Sequence, residues 1–382
     1  MKIGFDAKRA YCNATGLGNY SRTLISLLAK YFPEEEYYLF TPKASTSLFN
    51  LNDKHVHRVL PASALHRLFS SVWRSRWMKN DLVKNKIDIF HGLSHEIPMG
   101  IHKTGVKSIV TIHDLIHEKF PEQYNPIDIK IYNQKYRYAC QHADKIVAIS
   151  EHTKKDIIDL YKIPEEKIAV CVQSCDPVFS KIINEETKQQ VAQEYHLPKE
   201  FFLSVGSIIE RKNLLNVCKA LLQVQPEIAA PLVVIGNGRK YKKEVKTFIA
   251  EHGLEKSVIF LSEQFGDNSR ISQPETLAAI YQLSLGMIYP SFYEGFGLPV
   301  MEALSSEVPV ITSNVSSLPE AGGDAAFYVN PAQPEEIATG MKKIYGDKMY
   351  VQKMKEKGKK YASQNTGEMY AHKMMKIYQS LC

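Results

Sequence analysis

Two glutamates, Glu294 and Glu302, stand with seven residues between them in "MIYPSFYEGFGLPVMEALSSEVPVI", residues 287–311. Paired carboxylates can work as acid and base across a glycosidic bond, ligate a hard cation or accept hydrogen bonds from a ligand's hydroxyls. The run between them, Gly-Phe-Gly-Leu-Pro, reads as a tight loop opening a helix, with Pro299 in a first turn that tolerates it. Glu294 then lies in the loop and Glu302 one turn into the helix. The backbone N–H groups of Phe296, Gly297 and Leu298 are expected to point at a ligand. No Asp-x-Asp or other carboxylate cluster accompanies the pair, so a metal site is not expected. A pair flanking a backbone nest suits hydroxyls and phosphate. Glu302 alone would be an ordinary first-turn glutamate, favourable to the helix dipole.

Other residues with chemistry fall at strand ends. In "SVGSIIERKNL", Arg211 and Lys212 follow a strand and stand at a helix start, where cations are normally repelled. Two together point to an anionic ligand such as a diphosphate; the alternative is a solvated pair. "IVTIHDL" places His113 and Asp114 directly after an apolar strand, but neighbouring strand residues face opposite ways, so Asp114 need not orient His113. His113 either faces a ligand or is bonded to backbone, and His91 in "IFHGLSHE" is similarly placed. In "TGLGNY", Gly16 and Gly18 lie between a first strand and a helix, either as a tight turn or as a backbone anion site. A nicotinamide-binding fold would want an acid at the end of its second strand. Here that strand ends "LFTPK".

The elements that must carry these residues alternate apolar runs with longer amphipathic ones, a parallel α/β pattern. Strands are expected at "KIGFDA", "YYLFT", "IDIFHG", "SIVTIHD" and "KIVAIS". After a break the pattern resumes with "FFLSVGS", "PLVVIGNG", "VIFLSE", "LGMIYPS" and "VPVITS". Tyr20, Leu24, Leu27, Leu28 and Tyr31 recur at helical spacing, and Ser150 is placed to cap a helix from Glu151. The fold class is therefore α/β, with two Rossmann-like doubly wound parallel sheets. The expected domains are 1–176 and 177–364, with a C-terminal helix over 365–382. In open α/β sheets ligands bind beyond the carboxyl ends of the strands, so two sheets facing each other would share a cleft.

The 382 residues carry a formal charge of +7, a modest excess that would favour an anionic ligand or membrane surface. No nucleic-acid-binding signature accompanies it, so no nucleic-acid partner is expected. The six cysteines form neither a disulfide framework nor a zinc set. No apolar run is long enough to span a membrane, and the N-terminus reads as a strand, which points to the cytoplasm. The lysine-rich stretch from Lys342 reads as a solvated helical face.

Taken together, "SFYEGFGLPVMEAL", "VGSIIERKNL", "VPVITSNVSSLPEAGGDAAFYVNP" and "TIHDLIHEKFPE" resemble the retaining "group 1" nucleotide-sugar glycosyltransferases of the GT-B fold. The likeness runs through essentially the whole chain and is strongest over 201–340. It implies that Arg211 and Lys212 neutralise the donor diphosphate, Glu302 accepts from the ribose hydroxyls and Glu294 grips the transferred sugar, helped by backbone at Phe296, Gly297 and Leu298. It also implies that His113 lies near that sugar and the Gly16–Gly18 loop near diphosphate and acceptor. The enzyme would retain anomeric configuration and need no metal or other cofactor. The overall look leans toward mannosyltransferases and GDP-mannose. The chain departs from the family at Glu307, where a glycine is usual, and at "QSCD", residues 173–176, which puts local turn geometry and the hinge in question.

A glycan or lipid-linked glycan acceptor would bind the N-terminal domain. There "ALHRLFSSVWRSRWMKN", residues 64–80, is an amphipathic, basic, tryptophan-bearing helix candidate. It suits either the core, with its cations snorkelling, or peripheral contact with the inner face of an anionic membrane. Two alternatives to a transferase fit the same residues: a non-catalytic GT-B partner subunit that binds nucleotide, and a GT-B nucleotide-sugar epimerase.

Overall fold

A computed structural model describes residues 1–43, 48–225, 227–266, 271 and 273–382. The chain forms two compact units, Met1–Gln173 with Gly367–Cys382, and Ser174–Thr366. The first change of unit falls slightly earlier than 176/177 because residues after Gln173 are tied to the second core. Cys175 Sγ lies 3.2 Å from Ser305 Oγ, and Ser306 Oγ donates to Phe179 O at 3.1 Å. The C-terminal helix Gly367–Gln379 belongs to the first unit, where Tyr378 OH meets His91 Nδ1 at 2.7 Å.

The first unit is built on a parallel seven-stranded sheet. Its strands are β1 (Lys2–Asp6), β2 (Glu36–Phe40), β3 (Val56–Val59), β4 (Ile89–Gly92), β5 (Lys107–Ile112), β6 (Lys145–Ala148) and β7 (Ile168–Val170), in the order β3-β2-β1-β4-β5-β6-β7. The second has six parallel strands: β8 (Phe202–Val205), β9 (Leu232–Ile235), β10 (Val258–Phe260), β11 (Gly286–Tyr289), β12 (Val310–Ser313) and β13 (Phe327–Val329). Their order is β10-β9-β8-β11-β12-β13. Central strands such as "IFHG", "LVVI" and "GMIY" are buried throughout, as parallel strands covered by helices on both faces must be. In both sheets the strand order reverses beside the first strand of the unit, between β1 and β4 and between β8 and β11.

Helices form where the apolar period allows. Gly16–Tyr31 buries Tyr20, Leu24, Leu27 and Leu28 along one stripe. Ser150 caps Glu151–Tyr161, its Oγ accepting from the N–H of Thr153 at 3.0 Å. The single amphipathic helix expected over 64–80 is instead broken. Ala64–Leu68 and Ser70–Val72 are short, Trp73–Trp77 is a π-helical turn and Met78–Lys84 returns to α. The extra residue of a π turn re-aims side chains. Here Trp73 is buried in the core, and adjacent Arg74 turns inward to Asp6, 2.6 Å away, and to Glu96. Its amphipathic pattern is thus split between two environments.

Candidate active site

In the second unit the chemistry gathers at the switch point between β8 and β11, the place where open α/β sheets take ligands. The chain leaves β8 through Gly206 (φ +131°) and a 3-10 turn, Glu210–Lys212, then enters the helix Leu214–Val224 through Asn213 in the left-handed region. Any Cβ on Gly206 would stand 3.0 Å from Lys212 Nζ, so the glycine leaves room for that lysine to fold back over the strand end. From the neighbouring strand, the loop after β11 carries Glu294. The two loops are joined by Phe292 N–H donating to Arg211 O at 2.8 Å and by Asn213 Nδ2 donating to Pro290 O at 3.0 Å.

Arg211, Lys212 and Glu294 meet on one carboxylate oxygen. Glu294 Oε1 lies 2.9 Å from Arg211 Nη1 and 3.3 Å from Lys212 Nζ, and accepts from Tyr289 OH at 2.9 Å. Lys212 also donates to Tyr289 OH, and Arg211 to Tyr293 O. Burial opposes ionisation of Glu294, but Lys212, Arg211 and Tyr289 outweigh it and hold the carboxyl below its ordinary range. Burial, reinforced by Arg211, lowers the Lys212 ammonium. Glu294 therefore offsets part of the positive charge at this helix start.

The loop that holds Glu294 is fixed from β12. Ser317 Oγ donates to Glu294 O at 2.8 Å and to Phe296 O at 3.0 Å, and Glu294 N–H donates to Ser316 Oγ at 3.1 Å. Gly297 (φ +107°) then opens the helix Leu298–Ser305, with Pro299 in its first turn. A Cβ there would fall 2.7 Å from Leu318, so the position excludes larger residues twice over. The N–H groups of Phe296 and Gly297 have no hydrogen-bond acceptor among the described residues. Glu302 sits one turn in, where its Oε2 accepts from Tyr281 OH at 3.1 Å. Burial pushes its carboxyl up to about 7, with Asp176 adding to the effect. Among the described residues no group of three His, Cys, Asp or Glu side chains could hold a metal ion.

The remaining candidates lie in the first unit. His113 follows β5 and is buried, its Nε2–H donating to Leu93 O at 2.9 Å, with Tyr20 packed edge-on at 4.4 Å. Burial takes its pKa down to about 4, so the ring is neutral. Gly16 and Gly18 do not form the loop expected of them; both lie in the first turn of Gly16–Tyr31. Gly18 N–H is used internally, donating to Thr15 O at 2.8 Å, and a Cβ on it would fall 1.8 Å from Asn13 O. Close approach of that carbonyl therefore accounts for the second glycine. Tyr289, Tyr281, Ser316, Ser317 and Asn213 were not identified from the sequence. The quoted runs "MIYPS", "SNVSS" and "ERKNL" pointed near four of them, but single tyrosines, serines and asparagines carry no periodic signal.

With this geometry established, likeness to known proteins is informative. Residues 185–361 match the family described as Glycosyl transferases group 1, and residues 15–173 match Glycosyltransferase Family 4. The chain is 29% identical over 356 residues to the O-antigen chain mannosyltransferase B of Escherichia coli, covering 88% of this chain and 89% of that protein. It is 28% identical over 308 residues to a serotype-specific mannosyltransferase WbdA of the same species, covering 77% of this chain and 37% of that longer protein. Among solved structures, Anabaena HepE in complex with UDP and glucose superposes with a TM-score of 0.72 at 18% identity, over 99% of both chains.

Proposed function

Because the chain belongs to the group 1 glycosyltransferases, with their GT-B fold, we propose that it moves a hexose from a nucleoside diphosphate sugar to a glycan or lipid-linked glycan acceptor in surface polysaccharide synthesis, GDP-mannose being the favoured donor. The observation that carries this reading is the cluster of Arg211, Lys212 and Glu294 at the β8–β11 switch point. A donor diphosphate would take the two cations, with the N–H groups of Phe296 and Gly297 beside it. Glu294, released from part of that pairing, would hold the sugar's hydroxyls, and Glu302 the ribose. Positive charge fixed there matters most in the transition state, where the anomeric C–O bond breaks and charge grows on the leaving diphosphate. Retention is proposed through attack from the same face, the leaving phosphate oxygen accepting the acceptor's proton as the new C–O bond forms. Arg211 and Lys212 supply the neutralising charge, so turnover is expected to persist in a chelator.

The mannosyltransferase relatives support the choice of mannose, and a HepE complex that holds UDP and glucose supports a nucleotide-sugar donor. A thermal-shift screen of GDP-, UDP- and ADP-sugars tests the donor. At ~100 times its dissociation constant a ligand stabilises by ~2.7 kcal/mol. A melting point unmoved by every nucleotide would overturn the donor site. Product from donor alone, in the form of an epimer, would replace transfer with epimerisation.

Peripheral contact with an anionic membrane on its cytoplasmic side completes the proposal. Leu65, Leu68 and Phe69 are 55%, 76% and 49% exposed, Arg67 and Arg76 of the same segment are exposed as well, and no described helix is long and apolar enough to cross a membrane. Apolar side chains with nearby cations suit a lipid surface. Failure of anionic vesicles to retain the protein at low salt would remove this part.

A further inference from the structure

The first sheet has a switch point of its own, between β1 and β4. Lys8 and Arg9 come directly after β1, His95 and Glu96 after β4, and His113 after β5. Two carboxylates lie there, Asp6 and Glu96, and both are committed. Arg74 bonds to each, and Lys135 Nζ is 2.9 Å from Glu96. Asp114, beside His113, accepts from Ile116 N–H at 3.1 Å. Lys8 and Arg9 have no ion pair among the described residues, although both are partly buried. The Nε of Arg9 is shut off from solvent and has no hydrogen-bond partner. Lys8, Arg9, Arg74 and Lys135 thus outnumber the carboxylates Asp6, Glu96 and Asp114 at this end of the sheet.

The imidazoles nearby add no charge of their own. Arg9 is near enough to His95 and His113 to disfavour a proton on either, in addition to the effect of burial, so both imidazoles stay neutral. The Lys8 ammonium is disfavoured by burial and by Arg74 and Arg9, which Asp6 and Glu96 offset only in part. Partly desolvated cations held together in excess of their counter-charges are costly, and a bound anion lowers that cost. A guanidinium and an ammonium side by side match phosphate oxygens, the first as a planar fork and the second as a point charge.

We propose that Lys8 and Arg9 form a binding site for a phosphate or diphosphate ester carried by the acceptor, at the switch point of the first sheet. The assignment to an acceptor rests on the transferase reading above. Anion binding by these two side chains does not.

Isothermal titration of the full chain with inorganic pyrophosphate tests it, using wild type, Arg211→Gln, and Arg9→Gln, Lys8→Gln and Arg9→Lys each alone and added to Arg211→Gln. Wild type should bind at both the donor pair and this site, and Arg211→Gln at this site alone; adding Arg9→Gln or Lys8→Gln to Arg211→Gln should weaken that remaining binding about tenfold or more, and adding Arg9→Lys should fall between. In transfer assays Arg9→Gln should raise the KM for a phosphorylated acceptor while leaving kcat and the donor KM unchanged. Absence of pyrophosphate binding by wild type, or equal affinity in Arg211→Gln with and without either added glutamine, would overturn the site. Loss in Arg211→Gln with retention in Arg9→Gln would also overturn it, by assigning the anion to the donor pair. Lys8→Gln carries the comparison if Arg9→Gln does not fold. Pyrophosphate binding without any nucleotide binding would count against the transferase reading and leave the anion site standing.

Discussion

Arg211 Nη1 and Glu294 Oε1 lie 2.9 Å apart, and Lys212 reaches the same oxygen at 3.3 Å. The carboxylate proposed for the sugar is thus the counter-ion of the cations proposed for the diphosphate. Glu294→Gln keeps the shape and removes the charge. Turnover should fall by about 10²–10³-fold, while nucleoside diphosphate affinity holds or rises, because two cations lose their internal competitor. Single-turnover kinetics with titration of the nucleotide separates the two; a parallel loss of affinity would contradict this division of labour.

Glu302 gives a pH signature. Its carboxyl, raised by burial to about 7, is protonated in the folded protein over a range where the unfolded chain has already ionised. The sign follows: between pH 4.5 and 7 the unfolded state binds fewer protons, so this group's contribution to stability declines as pH rises. Ribose hydroxyls need the ionised form as acceptor. Nucleotide affinity should therefore increase through pH 7, and Glu302→Gln should flatten that dependence. Affinity measured from pH 6 to 8 for both proteins checks this.

The first unit should be acid-sensitive for the opposite reason. Burial lowers His91 to about 3 and His113 to about 4, and takes His95 well below its ordinary value. Folded, these rings stay neutral; unfolded, they take protons below about 6.5. Stability contributed by their burial is complete above that pH and is lost as pH falls toward 4, at up to about 1.4 kcal/mol per pH unit for each ring. Denaturant melts at pH 7.5 and 5 should show the loss, and His91→Gln should reduce it. A pH-independent midpoint would refute it.

Glu307, just past the helix Leu298–Ser305, adopts φ +57°. A left-handed non-glycine residue costs roughly 1–2 kcal/mol. Glu307→Gly removes that strain but gives up the exposed ion pair with Lys359 at 2.8 Å, worth about 0–1 kcal/mol, and adds unfolded-state entropy. The net expected change is a gain of up to about 1 kcal/mol, read as a higher denaturant midpoint with activity unchanged. A lower midpoint would show that the ion pair outweighs the strain.

Much of the fold was legible along the chain. Apolar runs and helical periods locate ten of the strands, because parallel strands must be buried on both faces and their covering helices on one. The strands β3, β7 and β13 escaped this reading: each lies at a sheet edge and is mostly only partly buried, so it lacks the long apolar run of a central strand. Arg211, Lys212, Glu294 and Glu302 stand out by charge at strand ends, which a local reading detects.

What tertiary structure decided is which of these groups touch. Sequence spacing places Arg211 and Glu294 on different strands but cannot tell that β8 and β11 are neighbours, with the intervening β9 and β10 on the other side. Nor could it show that Tyr289 and Ser317 hold Glu294, that Asn13 O explains Gly18, or that Arg74 turns inward. Local sequence sets periodicity and turn preference through sterics and burial. Charge pairing is set by distances across the fold, and those exist only once the strands have found their order.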